Sequence, residues 1–184
     1  MNRKTKGALA VGAGAILLLG GAGSYALWSD ESPVGGDAIT TGDLQLTCGT
    51  GGTWTDVSPD GVVGGSAVDP ATDLMVPGDW WKYANTCTVV ATGKNMHAQI
   101  SVDTASVPGS TITDPACGGD CVTFDNTAAI GAGTPVSTPV TVNDGDSVAV
   151  GVVVKFNRDT PNRVGVNTTL NVDGMKVVLN QVRP

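Results

Sequence analysis

The sequence predicts an all-β protein, an antiparallel sandwich preceded by an N-terminal signal helix. Short segments in which apolar and polar residues alternate recur along the chain, and clusters rich in Gly, Pro, Asp and Asn separate them. Beyond the first 26 residues no segment shows the periodicity of a helix. We do not expect a parallel sheet, because parallel strands need long crossover connections that are usually helical.

The chain begins as a secretory signal peptide does. Three basic residues among the first six precede an uncharged stretch over 8–27, and Ser24 and Ala26 supply the small side chains of a cleavage site. We therefore expect cleavage between Ala26 and Leu27. A retained membrane anchor is the alternative, because about 20 uncharged residues are long enough to cross a bilayer as a helix.

Composition and charge limit the partners of the processed chain. Removing residues 1–26 takes away three of the ten Lys and Arg residues and none of the 17 Asp and Glu residues, which leaves a net charge of −10. Such a chain is not expected to bind nucleic acid, and it meets a membrane only through an uncleaved signal segment. We divide the full chain into a signal peptide (1–26), a flexible N-terminal segment that is a possible donor strand (27–37) and one β-sandwich domain (38–184).

The first predicted strands lie between residues 38 and 102. Residues 43–47 alternate within the segment 38–48, and a short strand is expected at Trp54. In the segment 80–91 one face carries the side chains of Trp81, Tyr83, Cys87 and Val89. A turn over 93–95 leads to an alternating segment over 96–102, so we predict a hairpin between these two segments.

The later strands follow the same alternation. Residues 122–124 form a short candidate, and a turn over 143–146 leads into 147–157, whose even positions from Val148 to Phe156 form the most regular apolar face. Residues 168–172 and 175–182 flank Asp173-Gly174. Because Asp-Gly is favoured in type I′ turns, we predict a second hairpin there.

Four cysteines form an even set, which in an exported chain indicates disulfides. Three pairings are possible. We favour Cys48 with Cys87, which lie in two predicted strands, and Cys117 with Cys121, which would close a small loop. A zinc site is not expected, because the cysteine spacing and a lone histidine do not provide closely spaced ligand pairs.

The sequence shows no complete catalytic constellation, and we expect no enzymatic activity, no catalytic residues, no cofactor and no metal. His97 is alone, so the two-histidine zinc-protease helix cannot form, and it lies on the polar face of its strand. Asp103 begins a single copy of an aspartic-protease-like turn, where that chemistry needs two carboxylates. Asp144 and Asp146 offer oxygen ligands for calcium, but aspartates of this spacing are typical of turns. Asn167 begins a weak glycosylation signal.

Several stretches carry a resemblance to a known family. They are Tyr25–Asp30, Ile39–Leu46, Val76–Asp79 with Ala91–Asn95, and the tail Leu179–Arg183. Together they resemble Gram-positive exported proteins with the alternate, SipW-type signal peptide, the TasA/camelysin family of biofilm-matrix and cell-surface proteins. The chain is shorter than the fibre-forming members and, unlike them, carries cysteines.

This resemblance implies a sandwich of jelly-roll type, removal of the leader by a dedicated signal peptidase, and a location in the medium, the extracellular matrix or at the cell surface. In the fibre-forming members the mature N-terminus adds as a strand to the next subunit. Here that segment would be 27–37, with Leu27, Trp28 and Val34 as apolar anchors. The alternative interpretation of this segment is a disordered lead.

Two functions therefore follow from the sequence. The first is a secreted structural protein of the cell surface or matrix, whose partner is itself in a fibre or another matrix or wall component. The second is a soluble binding module for a wall polymer or a partner protein, with contacts through Trp54, Trp80 and Trp81. Of these three, Trp81 is expected in the core, because it lies on the apolar face of its strand.

Overall fold

A computed structural model describes residues 36–60, 65–105, 107 and 112–183. The predicted signal peptide, the cleavage position at Ala26 and Leu27, and the anchors Trp28 and Val34 lie outside these residues. Within the described residues the chain forms eleven β-strands and two short 3₁₀ helices, which confirms the all-β prediction.

The strands in chain order are β1 (Asp43–Cys48), β2 (Thr53–Asp56), β3 (Trp80–Thr92), β4 (Ala98–Asp103), β5 (Thr113–Asp114), β6 (Gly119–Asp120), β7 (Val122–Ile130), β8 (Val136–Ser137), β9 (Val140–Val142), β10 (Ser147–Phe156) and β11 (Lys176–Gln181). The 3₁₀ helices span Pro115–Cys117 and Val172–Gly174.

The strands form two principal antiparallel sheets. The larger sheet has the order β1-β3-β10-β7-β8, and β2 pairs with β3 on the same edge as β1. The smaller sheet has the order β11-β4-β9, and β5 and β6 form a two-stranded sheet. Every strand pairing is antiparallel, as expected for a chain without crossover helices.

The main core lies where the two sheets face each other. The period-two pattern of β10 is confirmed, since Val148, Val150, Val152, Val154 and Phe156 are all buried. The inward residues of β3 and of β4 join the same cluster as the first three of these valines. Apolar side chains from both sheets therefore interdigitate, which gives a β-sandwich-like arrangement.

The predicted hairpin between β3 and β4 is wrong. β3 is already paired on both edges, by β1 and β2 on one side and by β10 on the other, whereas β4 pairs with β9 and β11 in the smaller sheet. The turn over 93–95 therefore carries the chain from one sheet to the other. Alternation identified the buried face of β4 correctly, because Ala98, Ile100 and Val102 are buried, but both arrangements produce the same alternation.

The predicted hairpin around Asp173-Gly174 is also wrong. Both residues belong to the second 3₁₀ helix, where the Asn171 side chain accepts a hydrogen bond from the Asp173 N–H at 3.0 Å. Residues 168–171 form no strand, and β11 pairs with β4 instead. The local cap from Asn171 replaces the type I′ turn that an Asp-Gly dipeptide favours between paired strands.

Candidate functional site

The predicted cysteine pairing is confirmed. Cys48 and Cys87 lie directly opposite each other on β1 and β3, and the next residue pair is joined by a hydrogen bond from the Gly49 N–H to the Thr86 carbonyl at 2.9 Å. Cys117 is the last residue of the first 3₁₀ helix, and its bond to Cys121 closes a small loop that contains β6. Two disulfides suggest an oxidising, extracellular environment, because reducing compartments keep thiols free.

One side of the sandwich is open between two edge strands. Among the strands that the structure describes, β1 pairs only with β3 in the larger sheet and β11 pairs only with β4 in the smaller sheet. Within that part of the chain, each of the two strands therefore has one edge without a ladder. A groove of about 640 Å³ lies between them, and we call it the seam. Its lining is Leu44, Leu46, Cys48, Tyr83, Asn85 and Lys176–Leu179.

The seam exposes part of the apolar core. On β1 the half-buried residues Leu44, Leu46 and Cys48 alternate with the exposed residues Asp43, Gln45 and Thr47. Leu44 and Leu46 pack against the main core cluster, and so do Val177 and Leu179 from β11. Apolar side chains that contact the core yet remain half-buried at an open edge are typical of a sheet that can accept a further strand.

The seam continues along the sandwich. A smaller pocket of about 250 Å³ shares Tyr83 and Val177 with the seam, and it shares Trp54 and Val172 with a third cavity of about 530 Å³. We call this third cavity the loop cleft, because residues 70–77 and 162–172 cover it. Its floor is the second apolar cluster, which contains Val122, Val154 and Phe156.

The three candidate tryptophans have different surroundings. Trp81 is 9% exposed and belongs to the core, as expected. Trp54 is half-buried with its ring centroid 5.3 Å from that of Tyr83. Trp80 is covered by the Lys155 ammonium, which lies 4.2 Å from its ring centroid and forms an ion pair with Asp125. The structure therefore does not bring them together as one aromatic surface.

The aspartates singled out in the sequence support turns. The Asp144 carboxylate accepts the Ala91 N–H at 2.8 Å, and the Asp146 carboxylate accepts the Asn143 N–H at 2.8 Å. The Asp103 carboxylate accepts the Ala105 N–H at 2.9 Å and closes the turn after β4. The Asp146 and Asp103 bonds span three and two residues, which is the ordinary role of Asp in a turn. The Asp144 bond is a tertiary contact instead, because it joins its loop to Ala91 near the end of β3.

His97 is exposed, as predicted, and lies immediately before β4. Among the residues that the structure describes, no three His, Cys, Asp or Glu side chains lie together as a metal site. No helix in that part of the chain is long and apolar enough to span a membrane.

Comparison of the chain with protein-family models, with curated proteins and with solved structures finds no match. Sequence reasoning did not identify either cavity, although Leu74, Met75 and Val76 gave a signal as three apolar residues in a loop otherwise rich in Pro, Gly and Asp.

Proposed function

We propose that the chain is a secreted, non-catalytic structural protein of the cell surface or extracellular matrix. Its subunits associate when the N-terminal segment of one copy adds as a strand in the seam of the next. The single observation that carries this proposal is the pair of adjacent edges, β1 and β11, with half-buried leucines and valines between them. Strand addition would pair an open backbone edge and cover these side chains.

The proposed occupant is residues 27–37 of a second copy. Fully extended, eleven residues span about 36 Å, whereas the six residues of β1 span about 20 Å, so the segment is long enough to cover this edge. Trp28 and Val34 are an even number of residues apart and would point to the same face of a strand. That face would meet Leu44 and Leu46 in the seam.

The strand order supports a jelly-roll-related sandwich. A jelly roll has eight strands, B to I, with neighbours B-I-D-G in one sheet and C-H-E-F in the other. Here β3-β10-β7-β8 corresponds to B-I-D-G, and β4-β9 corresponds to C-H. Since β7 leads to β8 with only residues 131–135 between them, strands E and F have no counterpart at that point of the chain.

The proposal is tested with two proteins, one beginning at Leu27 and one beginning at Asp37. The longer protein is expected to form oligomers or filaments, seen by light scattering and electron microscopy. The shorter protein is expected to stay monomeric and to bind a synthetic peptide of residues 27–37 in a 1:1 ratio. Oligomers of equal size from both proteins would show that association does not use the segment.

Two matched variants of β1 test the seam as the acceptor. Leu46→Lys places a charge among the half-buried apolar residues of the seam, whereas Gln45→Lys places the same charge on the exposed face of the same strand. Peptide binding should fall at least tenfold in Leu46→Lys and stay unchanged in Gln45→Lys. Equal binding by both variants would exclude the seam, and a monomer that binds no peptide would favour the surface-binding alternative.

A further inference from the structure

The loop cleft exists because the two sheets differ in length. β3 has 13 residues and β10 has ten, whereas β4 and β11 have six each. The smaller sheet therefore covers only part of the inner face of the larger one. Loops around residues 70–77 and 162–172 cover the remainder without forming strands, and between them and the sheet they leave a cavity of about 530 Å³.

From this cavity we infer a second site: the loop cleft binds an uncharged, predominantly apolar small molecule. Its volume falls in the range of about 300–1,000 Å³ that is typical of small-molecule pockets. Its floor consists of buried apolar side chains, among them Trp81, Val122, Val154 and Phe156. An apolar ligand on this floor would complete the second core cluster.

The rim of the cleft is apolar and exposed as well. Leu74 is 87% exposed, Val76 is 54% exposed and Val166 is 48% exposed, and all three line the cleft. They come from both covering loops. Since soluble proteins seldom group exposed large apolar side chains around one opening, this arrangement indicates a site that takes an apolar occupant.

The charges of the lining residues indicate whether the cleft accepts an uncharged or a charged apolar ligand. Among the described residues that line the cleft, Asp73 is the only one with an ionisable side chain, and its carboxylate accepts the Asp69 N–H at 2.8 Å. The polar side chains Asn162, Asn167, Thr168 and Thr169 in the lining are uncharged. No cation in this lining compensates an acid, and the whole chain carries a net charge of −7. An anionic ligand such as a fatty-acid carboxylate is therefore disfavoured.

The test uses the disulfide-bonded chain beginning at Asp37. Because this chain lacks residues 27–36, the result does not depend on strand addition in the seam. The fluorescent probe N-phenyl-1-naphthylamine is titrated into the protein, and 1-decanol and decanoate compete for it below their aggregation concentrations. We expect saturable 1:1 binding and displacement by 1-decanol at a concentration at least tenfold lower than by decanoate. Absent or unsaturable binding, or equal competition by both compounds, would overturn the inference.

Two variants of lining residues and one control variant test whether the probe binds in the loop cleft. Ala71→Trp adds a large side chain at an exposed lining position and should weaken probe binding at least tenfold, and Leu74→Ser should weaken it severalfold. Val136→Ser is the matched control, because Val136 is 51% exposed on β8 and lies outside the lining. Thermal unfolding identifies any variant that fails to fold. Equal probe affinity in Leu74→Ser and Val136→Ser would contradict the assignment.

Discussion

Each disulfide joins one fully buried cysteine to one half-buried cysteine. Cys87 and Cys121 are both 0% exposed, and their partners Cys48 and Cys117 are both half-buried. Removing either pair therefore leaves a similar cavity. The two bonds differ in the length of chain that they close, since their partners are 39 and four residues apart.

This difference predicts unequal losses of stability. From loop length alone, the Cys48–Cys87 bond contributes about 4 kcal/mol and the Cys117–Cys121 bond about 2 kcal/mol. We expect the double variant Cys48→Ala/Cys87→Ala to unfold at a clearly lower urea concentration than Cys117→Ala/Cys121→Ala. Equal free energies of unfolding in the two double variants would show that loop entropy does not control the contribution of these bonds.

Among the strands, β10 is the central one of the larger sheet. It pairs along nearly its whole length with β3 on one side and β7 on the other, and six of its ten residues are buried. β2 is a four-residue strand without a buried residue, and on the side away from β3 it has only an isolated bridge between Thr55 and Ala67. Amides in the most enclosed elements exchange only on global unfolding, whereas edge strands open locally at lower cost.

Hydrogen exchange should separate these two strands. We expect peptides from β10 to exchange at least about 100-fold more slowly than peptides from β2, because opening β10 requires disruption of ladders on both sides. Exchange measured by mass spectrometry on the disulfide-bonded chain tests this order. Similar protection in β2 and β10 would contradict a sheet centred on β10.

The sequence predicts those features of the strands that depend on neighbouring residues, and it fails for those that depend on distant segments of the chain. Alternation depends on which residues face the core, so it located β3, β4 and β10 and their buried faces. Pairing depends on distant segments. The partners of β4 are β9 and β11, both far along the chain. No local pattern near residues 93–95 distinguishes a hairpin from a crossing between sheets. The incorrect hairpin around residues 93–95 came from this limit, whereas the one around Asp173-Gly174 was replaced by a local 3₁₀ helix that the Asn171 side chain caps.

The candidate sites were harder to predict for the same reason. To predict the seam, one must know that β1 and β11 are edge strands of different sheets, and this follows only from the complete topology. To predict the loop cleft, one must know the relative lengths of the strands in the two sheets. By contrast, the Cys48–Cys87 bond was predictable, because both cysteines lie in segments that read as strands.

At the scale of the whole molecule, charge opposes association. A chain without residues 1–26 would keep seven basic and 17 acidic residues, so two copies of it would repel each other. Dissolved salt limits the distance over which this repulsion acts. That distance is about 30 Å at 0.01 M ionic strength and about 8 Å at 0.15 M. Salt should therefore control how readily one copy approaches another.

The chain beginning at Leu27 is expected to associate severalfold faster in 150 mM than in 10 mM sodium chloride. Light scattering at constant protein concentration measures the rate, and the chain beginning at Asp37 serves as a control that should stay monomeric in both solutions. An association rate that falls on addition of salt would indicate that attraction between opposite charges, rather than burial of apolar residues in the seam, drives assembly.

The bond between Cys48 and Cys87 also determines how the domain would carry mechanical load. Tension on the chain ahead of β1 would peel this strand from β3 only as far as Cys48, its last residue, and so release about 20 Å of chain. The load then passes through a covalent bond to Cys87, inside a strand that nine residue pairs hold to β10. A subunit pulled through its N-terminal segment would therefore lengthen by the residues of β1, and further extension would require the ladder between β3 and β10 to break.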